Sequence, residues 1–363
     1  MERRKFLKGA ALGGAAAAAG GLAAPAVAQA RKTMTIVSTW PRDFPGLGIS
    51  AQRLAQRITD LSEGRIVTEY FAAGERVGAF DSFDEVASGN AQAYIGADYY
   101  WKGKHPALAY FTAVPFGMTY TEHTAWMKYA GGNELMDKVK GEFGLKGLLA
   151  GNTGCQMGGW FNKEIETADD LKGLKMRIPG LGGDVMAKLG ASPVSLPGGQ
   201  IYENLVSGAI EATEWVGPYN DYFMKFYEAA KYYYYPGMHE PGAALSLTMN
   251  ASWWGSLTDW ERQVITAAAY EEHANSMDEV NALNGEYLSK MINENGVVLK
   301  EFSDEIYESF AEAAAEVFEE TRAHSELTRE VDDSFQKALR EIGAWMKISD
   351  VAYSQKRNRA LGI

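Results

Sequence analysis

The chain carries one cysteine, Cys155, among 363 residues, so no internal disulfide can form and no CxxC pair is present. Histidine is sparse as well. His105, His123, His239, His273 and His324 are scattered, with no HExxH pair among them. No Gly-x-Ser-x-Gly elbow supplies a nucleophile, and only His239 beside Glu240 resembles a base with a partner. Positive charge is short: 35 Lys and Arg face 47 Asp and Glu, a formal net charge of -12. That balance argues against nucleic acid or an anionic membrane surface as partner. Past the first 28 residues, no apolar run is long enough to span a bilayer.

What is present begins with an export signal. MERRKFLKGA is basic, Gly9 to Ala24 is a run of small and apolar residues, and Ala26-Val27-Ala28 has the form of a cleavage site. Arg3 and Arg4 followed by Phe6, Leu7 and Lys8 resemble a twin-arginine signal, with a Sec signal as the alternative. Loss of residues 1–28 removes four positive charges and one negative, taking -12 to -15. A soluble exported protein is expected.

Strand and helix patterns alternate through the chain, which predicts an α/β fold. Strands are expected over Lys32–Trp40, Ile66–Phe71, Ala91–Tyr100, Leu145–Ala150, Leu174–Pro179 and Ala243–Asn250. Thr258 with Glu261 caps a helix running to about Asn293, long enough to bridge two lobes. Ser303 caps another, and residues 328–346 form a third whose Trp345 and Met346, with Tyr353 beyond, exceed the apolar surface a terminal tail needs. FDEVASGNAQA (Phe83 to Ala93) and YENLVSGAIEA (Tyr202 to Ala212) share a helix-Gly-strand pattern. The strands that follow end in acids and aromatics: Asp98, Tyr99 and Tyr100 in one, Glu214 and Trp215 in the other. Ligands of open α/β sheets sit beyond strand carboxyl ends, so two facing units predict a cleft between lobes.

The candidate site gathers at EATEWVGPYNDYF and YYYYPGMHEPG. Two turns bring in Glu214 and Glu240, with Tyr219, Tyr222 and Tyr232 to Tyr235 expected as aromatic walls. GNTGCQMGGWF adds Gln156 in a glycine-rich backbone without a Gly-Lys-Ser/Thr step, so it is no phosphate loop. Arg177 lies in an apolar strand and is either a structural ion pair or a clamp for a carboxylate, which its fork grips bidentately. Gln156, Glu214 and Glu240 supply hard oxygen ligands suited to sodium or calcium. A glycosidase using Glu214 and Glu240 is the enzymatic alternative.

GNTGCQMGGWF, LKGLKMRIPG, EATEWVGPYNDY and YYYYPG together resemble the periplasmic solute-binding proteins of TRAP transporters, and within them the binders of 2-oxoacids such as pyruvate. The resemblance runs through nearly all of residues 32–325. It implies two α/β lobes: lobe I from residues 29–152 and 243–270, lobe II from 153–242 and 290–325, with 271–289 in a connecting helix. It implies a substrate carboxylate on Arg177 and a sodium ion, or calcium, held by Gln156, Glu214, the Trp215 carbonyl and Glu240. Tyr100 falls where an aromatic hydroxyl meets the ligand, and Asn220 and Asp221 where polar residues line the cleft. Partners implied are a small organic monocarboxylate, the TRAP membrane permease, and a second copy joined through residues 326–363. Met238 and His239 depart from the pattern: relatives carry two tryptophans there. Ligand size or polarity is therefore expected to differ, and a 2-hydroxy acid with calcium is the alternative ligand.

Overall fold

The computed structural model describes residues 31–363, so the export signal expected over residues 1–28 lies outside the described residues. Two sheets organise the rest. The first contains Lys32–Ser38 (β1), Ile66–Phe71 (β2), Ala93–Gly96 (β3), Leu145–Asn152 (β4) and Ala244–Asn250 (β10), in the order β2-β1-β3-β10-β4. The second contains Gly159–Phe161 (β5), Lys175–Arg177 (β6), Ser192–Val194 (β7), Ala212–Thr213 (β8), Tyr232–Tyr235 (β9) and Val298–Glu301 (β11), in the order β11-β9-β5-β8-β6-β7. β1 pairs parallel with β2 and β3, while β10 runs antiparallel between β3 and β4. β1 and β10 are buried along most of their length, and their sequences, KTMTIVS and ALSLTMN, interleave apolar side chains with small hydroxyl residues that are buried too.

The chain crosses between the sheets after β4 and again before β10. The crossing segments pair with each other through Thr153 N to Ala243 O (3.0 Å), Gln156 N to Glu240 O (3.0 Å) and Gly237 N to Gln156 O (3.0 Å). Both sheets are spanned by a helix of 37 residues, Asp259–Asn295, about 55 Å long at ~1.5 Å per residue. Thr258 and Glu261 form its reciprocal capping box, as the sequence predicts, and Gly296 ends it in the left-handed region at φ 69°. Ser276 of this helix accepts from Asn152 N on the first-sheet side, and Asn284 accepts from Tyr219 N on the second.

The two matched segments adopt the same local structure. Ser82–Ala87 and Gly198–Val206 are helices that run into Gly89 (φ 81°) and Gly208 (φ 74°) before β3 and β8. Other expectations need correction. The strand expected to reach Tyr100 stops at Gly96, and Asp98–Trp101 is a 3-10 turn. Asp98 therefore does not face the cleft. It is fully buried against Lys140 Nζ (2.8 Å) and accepts from Ser246 Oγ (2.6 Å), a charge neutralised inside the first lobe. The helix Tyr120–Tyr129 starts where Thr119 and Glu122 cap each other. Helix Glu326–Met346 packs Val331, Phe335 and Ala338 on the first lobe, with Phe335 edge-on to Tyr110 and Trp126. Trp345 in its last turn, and Ile348, Val351 and Tyr353 past it, are exposed.

Candidate binding and cation site

β6 and β8 run parallel with Arg177 opposite Thr213, so their carboxyl ends deliver Arg177 and Glu214 side by side. Arg177 is 1% exposed. Its Nη1 donates to the Glu214 carboxylate, and its Nε donates to the Leu196 carbonyl at 3.2 Å. The guanidinium lies 5.1 Å over the Trp215 ring. Burial pulls the Arg177 pKa down, but the charges of Glu214, Tyr100, Tyr99 and Glu240 together outweigh it and hold the group above its ordinary value.

Glu240 arrives from the second crossing segment and Gln156 from the first, and Gln156 Nε2 donates to Glu240 Oε2 at 2.6 Å. Glu214, His239 and Glu240, all buried, each offer a ligand atom within 4.8 Å of one another. Burial, and after it the nearby Glu214 charge, push the Glu240 carboxyl well above the usual carboxylate range against the opposing pull of Tyr99, Arg177 and Gln156. Two buried carboxylates with one guanidinium are short of positive charge.

The polar atoms left unpartnered tell which groups the site suits. Arg177 Nη2 and Trp215 Nε1 are buried donors without an acceptor, and Gln156 Oε1 and Asn220 Oδ1 are buried acceptors without a donor. Each such group costs about 1–3 kcal/mol when unmet. Donors beside Arg177 suit an anion, and an amide oxygen beside two carboxylates suits a cation, so the residues present fit both.

Other residues close the site. Asn220 Nδ2 reaches across to the Pro45 carbonyl at 2.8 Å, and Phe44 meets Trp215 edge-on at 5.6 Å. Lys102 pairs with Asp184. Tyr100 lies within electrostatic reach of Arg177, Glu240 and Glu214. A cavity of about 200 Å³ opens beside it, lined by Tyr99, Tyr100, Ile178 and Gly180 among others.

The tyrosine walls are not there. Tyr233 and Tyr234 are buried in β9, with Tyr233 stacked on Trp160 at 4.0 Å, while Tyr219 and Tyr222 pack on Tyr287 of the long helix. Asp221 also turns away from the cleft. It accepts from Trp160 Nε1 (2.9 Å) and Tyr233 OH (2.8 Å), and burial raises its pKa to about 7. Successive residues of a helix point about 100° apart, so Asn220 and Asp221 cannot share one face. Tyr99, expected at a strand end, lies instead in the 3-10 turn, which brings its hydroxyl to Glu240. Thr153, which accepts from Gln156 Nε2 at 3.0 Å, gave no signal at all.

Residues 37–325 match DctP, bacterial extracellular solute-binding protein family 7. The chain is 38% identical over 318 residues to the monocarboxylate 2-oxoacid-binding periplasmic protein of Nostoc sp., covering 88% of this chain and 87% of that one. It is similar to a solved TRAP periplasmic solute-binding protein from Pseudoalteromonas atlantica with bound sodium and pyruvate, at TM-score 0.86 and 36% identity over 90% of this chain and 99% of the other. A counterpart from Colwellia psychrerythraea, with bound calcium and pyruvate, is similar at TM-score 0.85 and 39% identity over the same 90% and 99%. With two lobes closing on buried Arg177 and a carboxylate pair, the chain belongs to the DctP family, the periplasmic solute-binding proteins of TRAP transporters.

Proposed function

We propose that this protein captures a small 2-oxo monocarboxylate of the pyruvate type and presents it to a TRAP permease. The observation that carries the reading is the buried pairing of an anion-seeking and a cation-seeking half. Arg177 Nη2 is an unmet donor, and Gln156 Oε1 is an unmet acceptor beside Glu240. Arg177 grips the substrate carboxylate, with the Trp215 indole and Tyr100 hydroxyl beside it. Gln156, Glu214, the Trp215 carbonyl and Glu240 hold the cation, sodium by the Pseudoalteromonas relative or calcium by the Colwellia one. When bound, the cation supplies counter-charge to the two glutamates and a coordination position for an oxygen on C2. Asn220 contributes by tying the lobes together at Pro45.

Lobe I comprises residues 29–152 and 243–270, lobe II 153–242 and 290–325, and 271–289 bridge them. Export follows the twin-arginine route. Residues 326–363 serve as the contact of a homodimer, a reading supported by the exposed Trp345, Ile348 and Val351. Light scattering should then give twice the chain mass, and a monomer mass would oppose it.

Ligand binding stabilises the native state by RT ln(1 + [L]/Kd). Pyruvate should therefore raise the melting temperature saturably and be recovered unchanged. Its conversion to product would overturn a pure binding role, and no shift would overturn the ligand class.

A further inference from the structure

A sodium or calcium site built from oxygens has no need of imidazole, yet His239 reaches this one. It is 3% exposed, and its Nε2 lies 3.2 Å from Glu214 Oε2. Two neighbouring ligands of one ion at about 2.1 Å stand ~3.0–3.4 Å apart, so this separation suits a shared metal as well as a hydrogen bond. Glu240 supplies a third ligand atom within 4.8 Å of the other two. A separate observation points the same way: Gln156 Oε1 is buried without a partner, on an amide whose Nε2 is held 2.6 Å from Glu240. One nitrogen and three oxygens are thus gathered from three segments. Room for the ring depends on Gly182, where an added Cβ would lie 2.6 Å from His239 Cβ.

Sodium and calcium gain little from a nitrogen donor, whereas zinc, cobalt and nickel favour imidazole. We propose that His239 is a direct ligand of the cation, and that this site takes a first-row divalent metal of the zinc and cobalt class in preference to sodium or calcium. The proposal rests on the cation site described above. It gives His239 a role in ion choice. The substrate clamp at Arg177 is untouched by it.

The alternative is that His239 only donates Nε2–H to Glu214 and orients it. An orienting histidine affects every ion that Glu214 binds, whereas a nitrogen ligand discriminates between ions. Chelator-stripped mature protein is titrated with cobalt alone, followed by its visible absorption, and with zinc and with calcium by calorimetry. One equivalent of cobalt should bind. His239→Gln should weaken cobalt and zinc by at least about tenfold, since even outer partners of a metal ligand are worth about 10–100-fold. Calcium should change by less than about threefold, under half of the ~1.4 kcal/mol that a tenfold change represents. Gly182→Ala, which displaces the ring without removing it, should repeat the pattern. X-ray absorption of the zinc-loaded unmodified protein should show imidazole scattering, independently of any variant's folding. Equal loss of cobalt and calcium, or a zinc shell without imidazole, overturns the proposal. If Glu240→Gln leaves cobalt binding unchanged, the metal lies elsewhere and the cation-site reading falls with it.

Discussion

Arg177 holds two relationships at once, and its substitution separates them. In the structure its Nη1 meets Glu214, its Nε meets the Leu196 carbonyl, and its Nη2 has no partner. The sequence offered an ion pair or a carboxylate clamp, and one guanidinium has donors enough for both. Lysine can replace the charge opposite Glu214 but cannot supply a second prong. Arg177→Lys should therefore lose about 2–5 kcal/mol of pyruvate affinity, the range for truncating a buried charge pair at an interface. Melting of the ligand-free variant should fall as well, because the Leu196 contact is lost. Full affinity with only a lower melting temperature would make Arg177 purely structural. The convergence of Arg177, Glu214, Glu240 and Gln156 was legible in the sequence because an apolar strand, two turns and a glycine-rich stretch mark where each one stands. Asp98 and Asp221 misled it. Both are acids next to a predicted site, and both are consumed inside the lobes by partners distant in sequence, Lys140 and Trp160.

At the scale of elements, the helices that start at Leu47 and Pro218 meet across the cleft. Gly46, just before the first, sits at φ 69° with its missing Cβ 2.1 Å from Asn220 Nδ2. Gly46→Ala adds about 1–2 kcal/mol of left-handed strain that the open and closed forms share. The clash with Asn220 arises only where the lobes meet as they do here, with Asn220 on the Pro45 carbonyl. The variant should therefore bind pyruvate more weakly and scatter X-rays as a more extended particle at equal ligand concentration. Parent-like affinity and dimensions would show that closure does not pass through this contact. Elements of strong period were legible, among them the strand Ile66–Phe71 and the capped helix Asp259–Asn295. The turn at Asp98–Trp101 was not, since its aromatics favour a strand locally and tertiary packing against Phe83 and Phe80 decides otherwise. The tyrosine run failed differently. Four successive tyrosines carry no periodicity, so the strand Tyr232–Tyr235 and its depth in the second sheet were not legible.

Across the whole molecule, stability and binding draw on buried ionisable groups of opposite tendency. Burial lowers the pKa of His123, in the first lobe, and of His273, on the long helix against that lobe, to about 4. Their unfolded values are near 6.5, so the unfolded chain takes up these protons first as pH falls. The stability they contribute is complete above pH ~6.5 and is lost as pH falls through about 4. Asp221 and Glu240, with raised values, contribute in the opposite sense, so a raw melting curve mixes the two. Comparison with His123→Gln removes the shared part. Relative to that variant, the parent should lose about 3 kcal/mol between pH ~6.5 and ~4, at ~1.4 kcal/mol per pKa unit. A constant offset across that window would mean that His123 is not held neutral.

The central claim is that substrate capture needs a cation at Glu214 and Glu240 as well as the clamp at Arg177. Calorimetric titration of pyruvate into chelator-treated protein in potassium buffer, without and then with sodium, calcium or zinc, measures it directly. The account predicts weak binding until one of these ions is restored, and propionate, which lacks an oxygen at C2, should gain little from any of them. Pyruvate affinity unchanged by every ion, together with equal binding of propionate, would contradict it.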